Sequence, residues 1–223
     1  MMRDKAVPAE IKFYRVKDAF GCFSNFSAHP VFIDTTWPTT EHFFQAEKFT
    51  DHAIRSEIQM EKSPMKAAKL GRSRDLPIRS DWETVKDDVM RTAIRAKVVQ
   101  HADVRETLLA TGSAKIIEHT KNDNYWGDGG DGAGKNMLGL IWMQIRDELT
   151  TNGPFDELAV PMLPPWLKYP EIERLSIGWR MGFGEDYDIG FRCWFKGLTK
   201  DGQSQYKQMY TPPKEWADFY DHI

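Results

Sequence analysis

The sequence WPTTEHFFQAEKF, residues 37–49, decides the fold of this chain because it combines a helix start with a buried apolar face. Thr39 follows a proline and is placed to cap a helix, since its side-chain oxygen can accept a hydrogen bond from a free N–H of the first turn. The apolar residues that follow recur at helical spacing: they are Phe43, Phe44, Ala46 and Phe49. The stretch therefore predicts a short, largely buried helix with Glu41 in its first turn.

The same stretch carries a polar face. Glu41, Gln45 and Lys48 follow i, i+4, i+7 spacing and would share one side of the helix, amid phenylalanines. A polar face in such surroundings suggests a site, whereas spacing alone slightly favours an exposed stripe with an ordinary ion pair. Because the helix dipole favours an ionised carboxylate in the first turn, Glu41 is better suited to act as a base or to stabilise a cation than to donate a proton.

Further helices are indicated by start and stop signals along the chain. SPMKAAKLG has Pro64 at the first helical position and Gly71 just past the end. The stretch 80–101 begins with the capping box Ser80 and Glu83, repeats apolar residues at helical spacing and should form the longest helix. Two more helices are predicted, in ADVRETLLATG at residues 102–112, capped by Asp103, and in KNMLGLIWMQIRDEL at residues 135–149.

Strands are predicted towards both ends of the chain. IKFYRV at 11–16 and HPVFID at 29–34 cluster β-branched and aromatic residues between turn residues. Beyond a Pro-rich segment, apolar residues alternate in 174–183 and again in 189–198, which predicts a hairpin, and 204–210 would add a third strand. We therefore expect an α+β fold: a mainly α-helical core with a few short strands, plus a small C-terminal antiparallel β-meander closed by a short helix.

Composition restricts the class of protein. The 223 residues are 41% hydrophobic and 28% charged, which is typical of a globular protein with a full core. The only cysteines, Cys22 and Cys193, lie far apart and form no CxxC pair, which argues against a zinc site and a disulfide scaffold and fits a reducing compartment. We expect neither a metal nor a cofactor. The first residues lack the apolar core of a signal peptide, and no apolar run approaches the roughly 20 residues that span a bilayer. These features predict a cytoplasmic protein without a membrane contact.

The net charge of −3 provides no broad electrostatic surface for nucleic acid. Any contact with DNA or RNA would therefore be local, and a small ligand is favoured. The sequence gives no indication of the oligomeric state.

The stretch NDNYWGDGGDGAGKNMLG, residues 122–139, contains the spacing G-x-x-x-x-G-K from Gly129 to Lys135. It is not a P-loop, because Asn136 replaces the Ser or Thr that would bind magnesium and Asp128 would oppose the phosphates. Two interpretations keep equal weight: a glycine-rich turn that brings N–H groups and Lys135 to an anion at a helix start, or a tight loop that only caps the helix.

Tryptophans and histidines add weaker signals. Trp82 at a helix start and Trp126 beside the glycine-rich turn could stack on a nucleobase, which is worth about 1–3 kcal/mol per base, but such residues are equally often core. Trp142, inside an apolar helix, is expected in the core. His42 and His119 have no partner spacing for zinc, so we interpret them as structural.

Five motifs follow one another in the sequence: FSNF at 23–26, WPTTEHFFQAEKF at 37–49, RSRDLPIRSDWETVKDDVMRTAIRAK at 72–97, LLATG at 108–112 and YWGDGGDGAGKNMLG at 125–139. Together they resemble the YbiA-like family, also called NADAR, over roughly residues 13–149. The resemblance implies hydrolysis of a bond between a ribosyl C1 and nitrogen, in a phosphoribosylaminopyrimidine intermediate of riboflavin synthesis or in ADP-ribosylated guanine. It implies a catalytic domain at 1–150, followed by a β-rich extension at 151–223 that short family members lack and that we expect to pack on the core.

The resemblance also implies roles for individual residues. The essential glutamate of the family falls on Glu41, and Lys48 and Asp128 match its motif as further catalytic candidates. Glycosyl cleavage passes through an oxocarbenium-like state that needs a negative charge, a water and an acid. Lys48 could supply the acid or, if the ribose ring opens, a Schiff base at C1. The implied substrate-binding residues are Asn25, Gln45, Trp82, Trp126, Gly127, Lys135 and Asn136.

Two other classes of function stay open. The chain could be a module that binds nucleotides or ADP-ribose without turnover, or an interaction protein that docks through its C-terminal β-meander. Within the C-terminal extension, Trp179, Arg180 and Trp194 are candidates for contact with a base or DNA.

Overall fold

The computed structural model describes residues 8–33, 35–152 and 162–223. Contacts divide the described residues into an N-terminal unit, bounded as Met1–Val31 and Trp37–Gly153, and a C-terminal unit, bounded as Phe32–Thr36 and Pro154–Ile223. Within the described ranges, no helix combines the length and apolarity that a membrane crossing requires.

Helices dominate both units, although the sequence analysis predicted this only for the N-terminal unit. The strands are β1 (Glu10–Phe13), β2 (Val31–Phe32), β3 (Thr36–Trp37) and β4 (Lys115–Glu118). The helices are α1 (Thr40–Ala46), α2 (His52–Met60), α3 (Pro64–Gly71), α4 (Trp82–Gln100), α5 (Ala102–Ala110), α6 (Met137–Asn152), α7 (Pro165–Lys168), α8 (Phe183–Gly197) and α9 (Lys200–Met209). This mainly α-helical architecture with a few short strands confirms the coarse α+β prediction for the chain.

The helix-start signals in the sequence agree with the structure at α1 but not at α4. The hydroxyl of Thr39 accepts a hydrogen bond from the N–H of His42, and α1 is buried along its whole length. The capping box expected at the start of α4 does not form, because Asp81 is the capping residue and its carboxylate is engaged by Arg79 at 2.6 and 2.8 Å. At 19 residues, α4 is the longest described helix, as predicted.

β1 and β4 form a parallel pair of strands, of which the sequence predicted only β1. Ile11 and Phe13 are buried while their neighbours are exposed, which is the alternation of a half-buried strand. The partner, β4, aligns Glu10 with Lys115 and Phe13 with Glu118. No pattern in four residues indicates such a pairing, because parallel strands need a long crossover connection, which here contains α1 to α5.

The core of the N-terminal unit is built around Trp142 of α6, which is fully buried as predicted. Its ring lies 4.7 Å from that of Phe23, centroid to centroid, and its Nε1 donates a hydrogen bond of 3.1 Å to the carbonyl of Phe23. This packing fixes the FSNF segment against α6.

The prediction of a C-terminal β-meander is wrong. Residues 177–179 form a 3-10 turn, and the segments expected as the second and third strands lie in α8 and α9. Apolar residues alternate at positions 189, 191, 193 and 195, but the same segment also has apolar residues at helical spacing. Burial follows the helical spacing, since Ile189 and Cys193 are exposed. The residues GEDYD, expected as a turn, begin α8, where Glu185 and Asp186 are favoured by the helix dipole.

The C-terminal unit folds around aromatic side chains. Phe191 and Tyr206 have no exposed surface, and their rings lie 5.8 Å apart between centroids. The rest of this core consists of Phe32, Met162, Trp166, Tyr187, Trp194, Phe195, Leu198, Trp216 and Phe219. α8 packs against this core through residues at helical spacing, 187, 191, 194, 195 and 198. The segment forms a helix because a helix buries more aromatic surface than two exposed strands would.

Candidate active site

Glu41 lies in the first turn of α1 and is 5% exposed. Its backbone N–H donates to the carbonyl of Asn25 at 3.2 Å, and its Oε1 accepts a hydrogen bond of 2.8 Å from Nε2 of Gln45. Gln45 is itself buried, and Gly71 packs so closely on it that a Cβ there would lie 2.3 Å from its Oε1. The prediction that Glu41 and Gln45 share one helix face is confirmed.

The electrostatic environment of Glu41 differs from the one that the helix dipole alone suggests. Burial raises the pKa of Glu41, and the negative charge of Asp123 acts in the same direction. The hydrogen bond from Gln45 and the charges of Arg72 and Lys48 oppose this increase without cancelling it. Desolvation therefore outweighs these opposing contacts, and Glu41 takes up a proton more readily than an exposed glutamate.

Lys48 lies two residues beyond the end of α1, in the turn that follows the helix. Its ammonium donates a hydrogen bond of 3.1 Å to the carbonyl of Gly71, and its Nζ lies 5.7 Å from the ring centroid of Phe44 and 5.8 Å from that of Trp82. Burial lowers the pKa of Lys48 to about 8, although the charge of Glu41 partly opposes this. A neutral amine is therefore populated near neutral pH, as a lysine nucleophile requires.

Three aromatic rings form what we call the aromatic cluster: Phe44, Trp82 and Trp126. The centroid of Phe44 lies 5.0 Å from that of Trp82 and 5.3 Å from that of Trp126, both in edge-to-face geometry. Trp82 is buried and Trp126 is half-buried. The cluster brings together the two tryptophans that the sequence placed at the site, and Phe44, which was interpreted only as core, joins them.

Residues 123–136, which we call the glycine loop, connect β4 to α6, and Asp128 holds the loop together. Its carboxylate accepts hydrogen bonds from the N–H of Gly130 at 2.8 Å, the N–H of Thr120 at 3.2 Å and Nδ1 of His119 at 2.8 Å. Burial alone would raise the pKa of Asp128, but the bonds from His119 and Gly130 outweigh it and the pKa lies below its ordinary value. Asp128 is thus an ionised anchor of the loop.

Asn136 closes the glycine loop in a left-handed conformation, at φ 53°, which asparagine tolerates better than most residues. Its Oδ1 accepts from the N–H of Glu118 at 2.9 Å, and its Nδ2 donates to the carbonyl of Ile116 at 2.8 Å. Gly127 has no space for a side chain, since a Cβ would lie 2.5 Å from the Thr120 methyl group. Both residues serve the shape of the loop.

Lys135 is exposed, and its Nζ lies 4.9 Å from the ring centroid of Tyr125. Asn25 lies in the FSNF segment, and its Oδ1 accepts a hydrogen bond of 3.2 Å from the hydroxyl of Thr40. Together with the bond from Glu41 to its carbonyl, this contact fixes the start of α1. Asn25 therefore positions the helix that carries Glu41.

Three charged residues close to Glu41 were missed by the sequence interpretation: Arg72, Glu118 and Asp123. Arg72 follows α3, and its charge lowers the pKa of Glu41. Glu118 ends β4, and the charge of Glu41 raises its pKa. Oδ1 of Asp123 accepts the N–H groups of Tyr125 at 2.8 Å and of Trp126 at 2.7 Å, which holds the turn beside the aromatic cluster. Only proximity in the fold reveals them, since none occurs at a spacing that stands out in the sequence.

The histidines are engaged in structural contacts. His42 contacts the Thr39 hydroxyl at 2.8 Å and the Glu61 carbonyl at 3.1 Å through its two ring nitrogens. Among the described residues, no three His, Cys, Asp or Glu side chains converge as ligands of a metal ion.

The C-terminal candidates do not form a comparable site. Trp194 is 9% exposed and belongs to the aromatic core, so it is not a base-facing residue, whereas Arg180 is exposed and Trp179 is half-buried. Nε1 of Trp179 donates to the carbonyl of Ile172 at 3.3 Å. A cavity of about 830 Å³ in this unit is lined by Trp166, Leu167, Pro170, Ile172, Glu173, Arg174, Leu175, Thr211, Pro213, Glu215 and Trp216.

Residues 12–150 match the model of a family described as the NADAR domain. The chain is 56% identical over 140 residues to the N-glycosidase YbiA of Escherichia coli, across 62% of this chain and 88% of that protein. It is 45% identical over 143 residues to an N-glycosidase of Nostoc punctiforme, across 62% of this chain and 92% of that protein.

A third relative is a chloroplastic riboflavin biosynthesis protein of Zea mays, which is 39% identical over 160 residues, across 65% of this chain and 26% of the relative. Among solved structures, the NMR structure of the Escherichia coli protein YbiA superposes with a TM-score of 0.61 at 54% sequence identity. That similarity covers 65% of this chain and 86% of the solved one.

Proposed function

The chain belongs to the NADAR domain family, and we infer that it is an enzyme that hydrolyses an N-glycosidic bond. The observation that carries this inference is Glu41, a buried carboxylate within the matched residues that Gln45 holds by a hydrogen bond. Cleavage of a bond from C1 to nitrogen develops positive charge on the sugar ring. A fixed carboxylate stabilises that charge most strongly where water is largely excluded.

The proposed catalytic domain is residues 1–150, because every proposed site residue lies there. Glu41 faces the developing charge at C1 and accepts a proton from the attacking water. The pKa of Glu41, raised by burial, suits this role, since a base acts best when its pKa lies close to the working pH. Gln45 orients the carboxylate, and Asn25 fixes the helix start.

Lys48 is proposed as the second catalytic group. Its pKa of about 8 leaves part of the amine neutral at neutral pH. If the ribose ring opens, this amine can attack C1 as a nucleophile and form a Schiff base. Borohydride added during turnover should then trap a covalent adduct that Lys48→Ala does not form. Failure to trap any adduct in the active enzyme would exclude this route.

The proposed substrate is a phosphoribosylaminopyrimidine of the kind that riboflavin synthesis uses. The similarity to a riboflavin biosynthesis protein supports this choice, and the net charge of −3 does not favour a polyanionic substrate. ADP-ribosylated guanine is the second candidate, because the half-buried ring of Trp126 in the aromatic cluster offers a surface on which a purine could stack.

The deciding experiment is incubation of the pure protein with each substrate separately. Free base, ribose phosphate and ADP-ribose are followed by mass spectrometry. We expect release of aminopyrimidine and ribose phosphate. Release of ADP-ribose alone would assign the second substrate, including a local contact with nucleic acid if only the polymeric form is cleaved.

A binding module without turnover makes a different prediction. It would bind ADP-ribose in calorimetry and release no base from either substrate, in which case the proposed function is wrong.

The proposed chemistry uses neither a metal nor a cofactor, so EDTA should leave the rate unchanged. Loss of activity in EDTA that added metal restores would contradict the mechanism.

A further inference from the structure

Glu118 ends β4, where two hydrogen bonds of its backbone fix it to the glycine loop. Its N–H donates to Oδ1 of Asn136 at 2.9 Å, and its carbonyl accepts from the N–H of Asp128 at 2.9 Å. The loop that follows Glu118 carries Trp126, whose ring contacts Phe44 of α1 at 5.3 Å between centroids. Glu118 is therefore fixed at the strand end, close enough to Glu41 for the charge of Glu41 to act on its carboxyl group.

The carboxylate of Glu118 is unusual among the acidic groups of this region. Asp128 accepts hydrogen bonds from Thr120, Gly130 and His119, and Asp123 accepts from two N–H groups of the loop. Within the described ranges, no hydrogen bond reaches the side-chain oxygens of Glu118, although the residue is half-buried. The other acidic groups hold the fold together, whereas Glu118 is available to a bound molecule.

The charges that act most strongly on Glu118 are negative. Burial and then the charges of Asp123, Glu41 and Asp128 raise the pKa of Glu118 to about 7. The neighbouring imidazole of His119 is turned to Asp128. A carboxyl group in this environment keeps its proton at a pH where an exposed glutamate has lost it, as a general acid must.

We propose that Glu118 is a further catalytic residue, the general acid that protonates the leaving nitrogen while Glu41 acts on the opposite partner, the attacking water. The proposal rests on the proposed function. As the bond from C1 to nitrogen breaks, its electron pair moves to the nitrogen, which takes the proton of Glu118. The water oxygen bonds to C1 and gives a proton to Glu41, and exchange with solvent returns both groups to their starting states.

The test compares the same isosteric substitution at two glutamates. Glu118→Gln removes the acid, and Glu106→Gln, at an exposed position on α5, is the matched control. With the substrate that the wild type cleaves, we expect Glu118→Gln to lower kcat by about 10²–10⁴-fold with little change in KM. Glu106→Gln should behave as the wild type.

The pH profile separates an acid from a structural group. Because the acid must be protonated, kcat/KM of the wild type should fall as the pH rises through about 7. Glu118→Gln should lose this limb, while any limb due to Lys48 would remain near its own pKa of about 8. Glu118→Asp keeps a carboxyl group and should retain a basic limb at a reduced rate.

Two results would overturn the proposal. One is a kcat of Glu118→Gln equal to that of the control, and the other is an unchanged basic limb in that variant. Thermal melting monitors folding, and we expect Glu118→Gln to be at least as stable as the wild type, because no hydrogen bond is lost. If the wild type releases no base from any substrate, the proposed function fails; if only the Glu118 variants behave as the control, this inference alone fails.

Discussion

The two units of the molecule bury different kinds of side chain. Among the described residues, every buried polar or charged residue lies in the N-terminal unit. They include Glu41, Gln45 and Lys97, and the last is fully buried with its ammonium bonded to the carbonyl of Ser24 at 3.0 Å. The core of the C-terminal unit is aromatic and aliphatic, with charged groups such as Arg192 and Asp188 outside it.

This difference indicates which unit contains the proposed catalytic groups. A buried polar group needs a compensating hydrogen bond, and a buried charge costs still more, so such groups weaken a fold unless they are well paired. Burial even lowers the pKa of Lys97 to about 7. The described residues of the C-terminal unit include no buried charge, and ring contacts stabilise this unit. Substitutions in the two units should therefore affect different quantities.

The largest effect is expected for Glu41→Gln. Because the amide keeps the shape but loses the negative charge, kcat should fall by about 10³-fold while substrate affinity persists. The free energy of unfolding near neutral pH should not decrease, since burial raises the pKa of Glu41 and the ionised form opposes folding. Steady-state kinetics and denaturant unfolding measure the two effects. Glu57→Gln on the exposed side of α2 is the matched control, and equal rates for both variants would contradict the role of Glu41.

The opposite pattern is expected for Phe191→Ala in the aromatic core. Loss of a fully buried ring should destabilise the C-terminal unit by about 3–5 kcal/mol. The activity of the molecules that remain folded should change little, because no proposed site residue lies in this unit. Denaturant unfolding and active-site titration check the two parts, and a 100-fold loss of activity per folded molecule, on the scale of a catalytic group, would break the distinction between the units.

Half-buried tryptophans sharpen the comparison. Trp126→Ala removes one ring of the aromatic cluster and should raise KM about tenfold, if the ring stacks on the base. Trp179→Ala removes a half-buried indole from the C-terminal unit and should leave KM unchanged while lowering the melting temperature. Initial rates over a range of substrate concentrations give both KM values. A rise in KM for Trp179→Ala would instead assign the C-terminal unit a part in substrate binding.

The smallest effects are expected at two helix caps of the same residue type. The hydroxyl of Thr39 accepts from the N–H of His42 at the start of α1, and that of Thr199 accepts from the N–H of Gly202 at the start of α9. Replacing either by alanine should cost about 1 kcal/mol of unfolding free energy. Only Thr39→Ala should also lower kcat, since α1 carries Glu41. Equal kcat values for both variants would show that the cap does not position the carboxylate.

The sequence predicted the site best where capping and spacing act locally. Thr39 and the apolar residues of α1 define a helix whatever surrounds it, and the face with Glu41 and Gln45 follows from that helix. Lys48 falls outside it because α1 ends at Ala46. Glu118 could not be found, since its role depends on the burial and the charges that the fold places around it.

The failure in the C-terminal unit has a different cause. Residues 187–198 carry both an alternating and a helical apolar pattern, and local spacing cannot decide between them. The decision came from aromatic partners far along the chain, such as Tyr206 and Phe219, which α8 reaches as a helix. Long-range packing overrode the local preference, as it does for other ambiguous apolar segments.

The pairing of β1 with β4 has a consequence for the order of folding events. The two strands lie roughly a hundred residues apart in sequence, and closing so long a loop delays the contacts that depend on it. Glu41 and Glu118 lie on segments that meet only after this closure. During synthesis the segment of α1 emerges before that of β4, so the two carboxylates of the proposed site can come together only after residues 115–118 have been made.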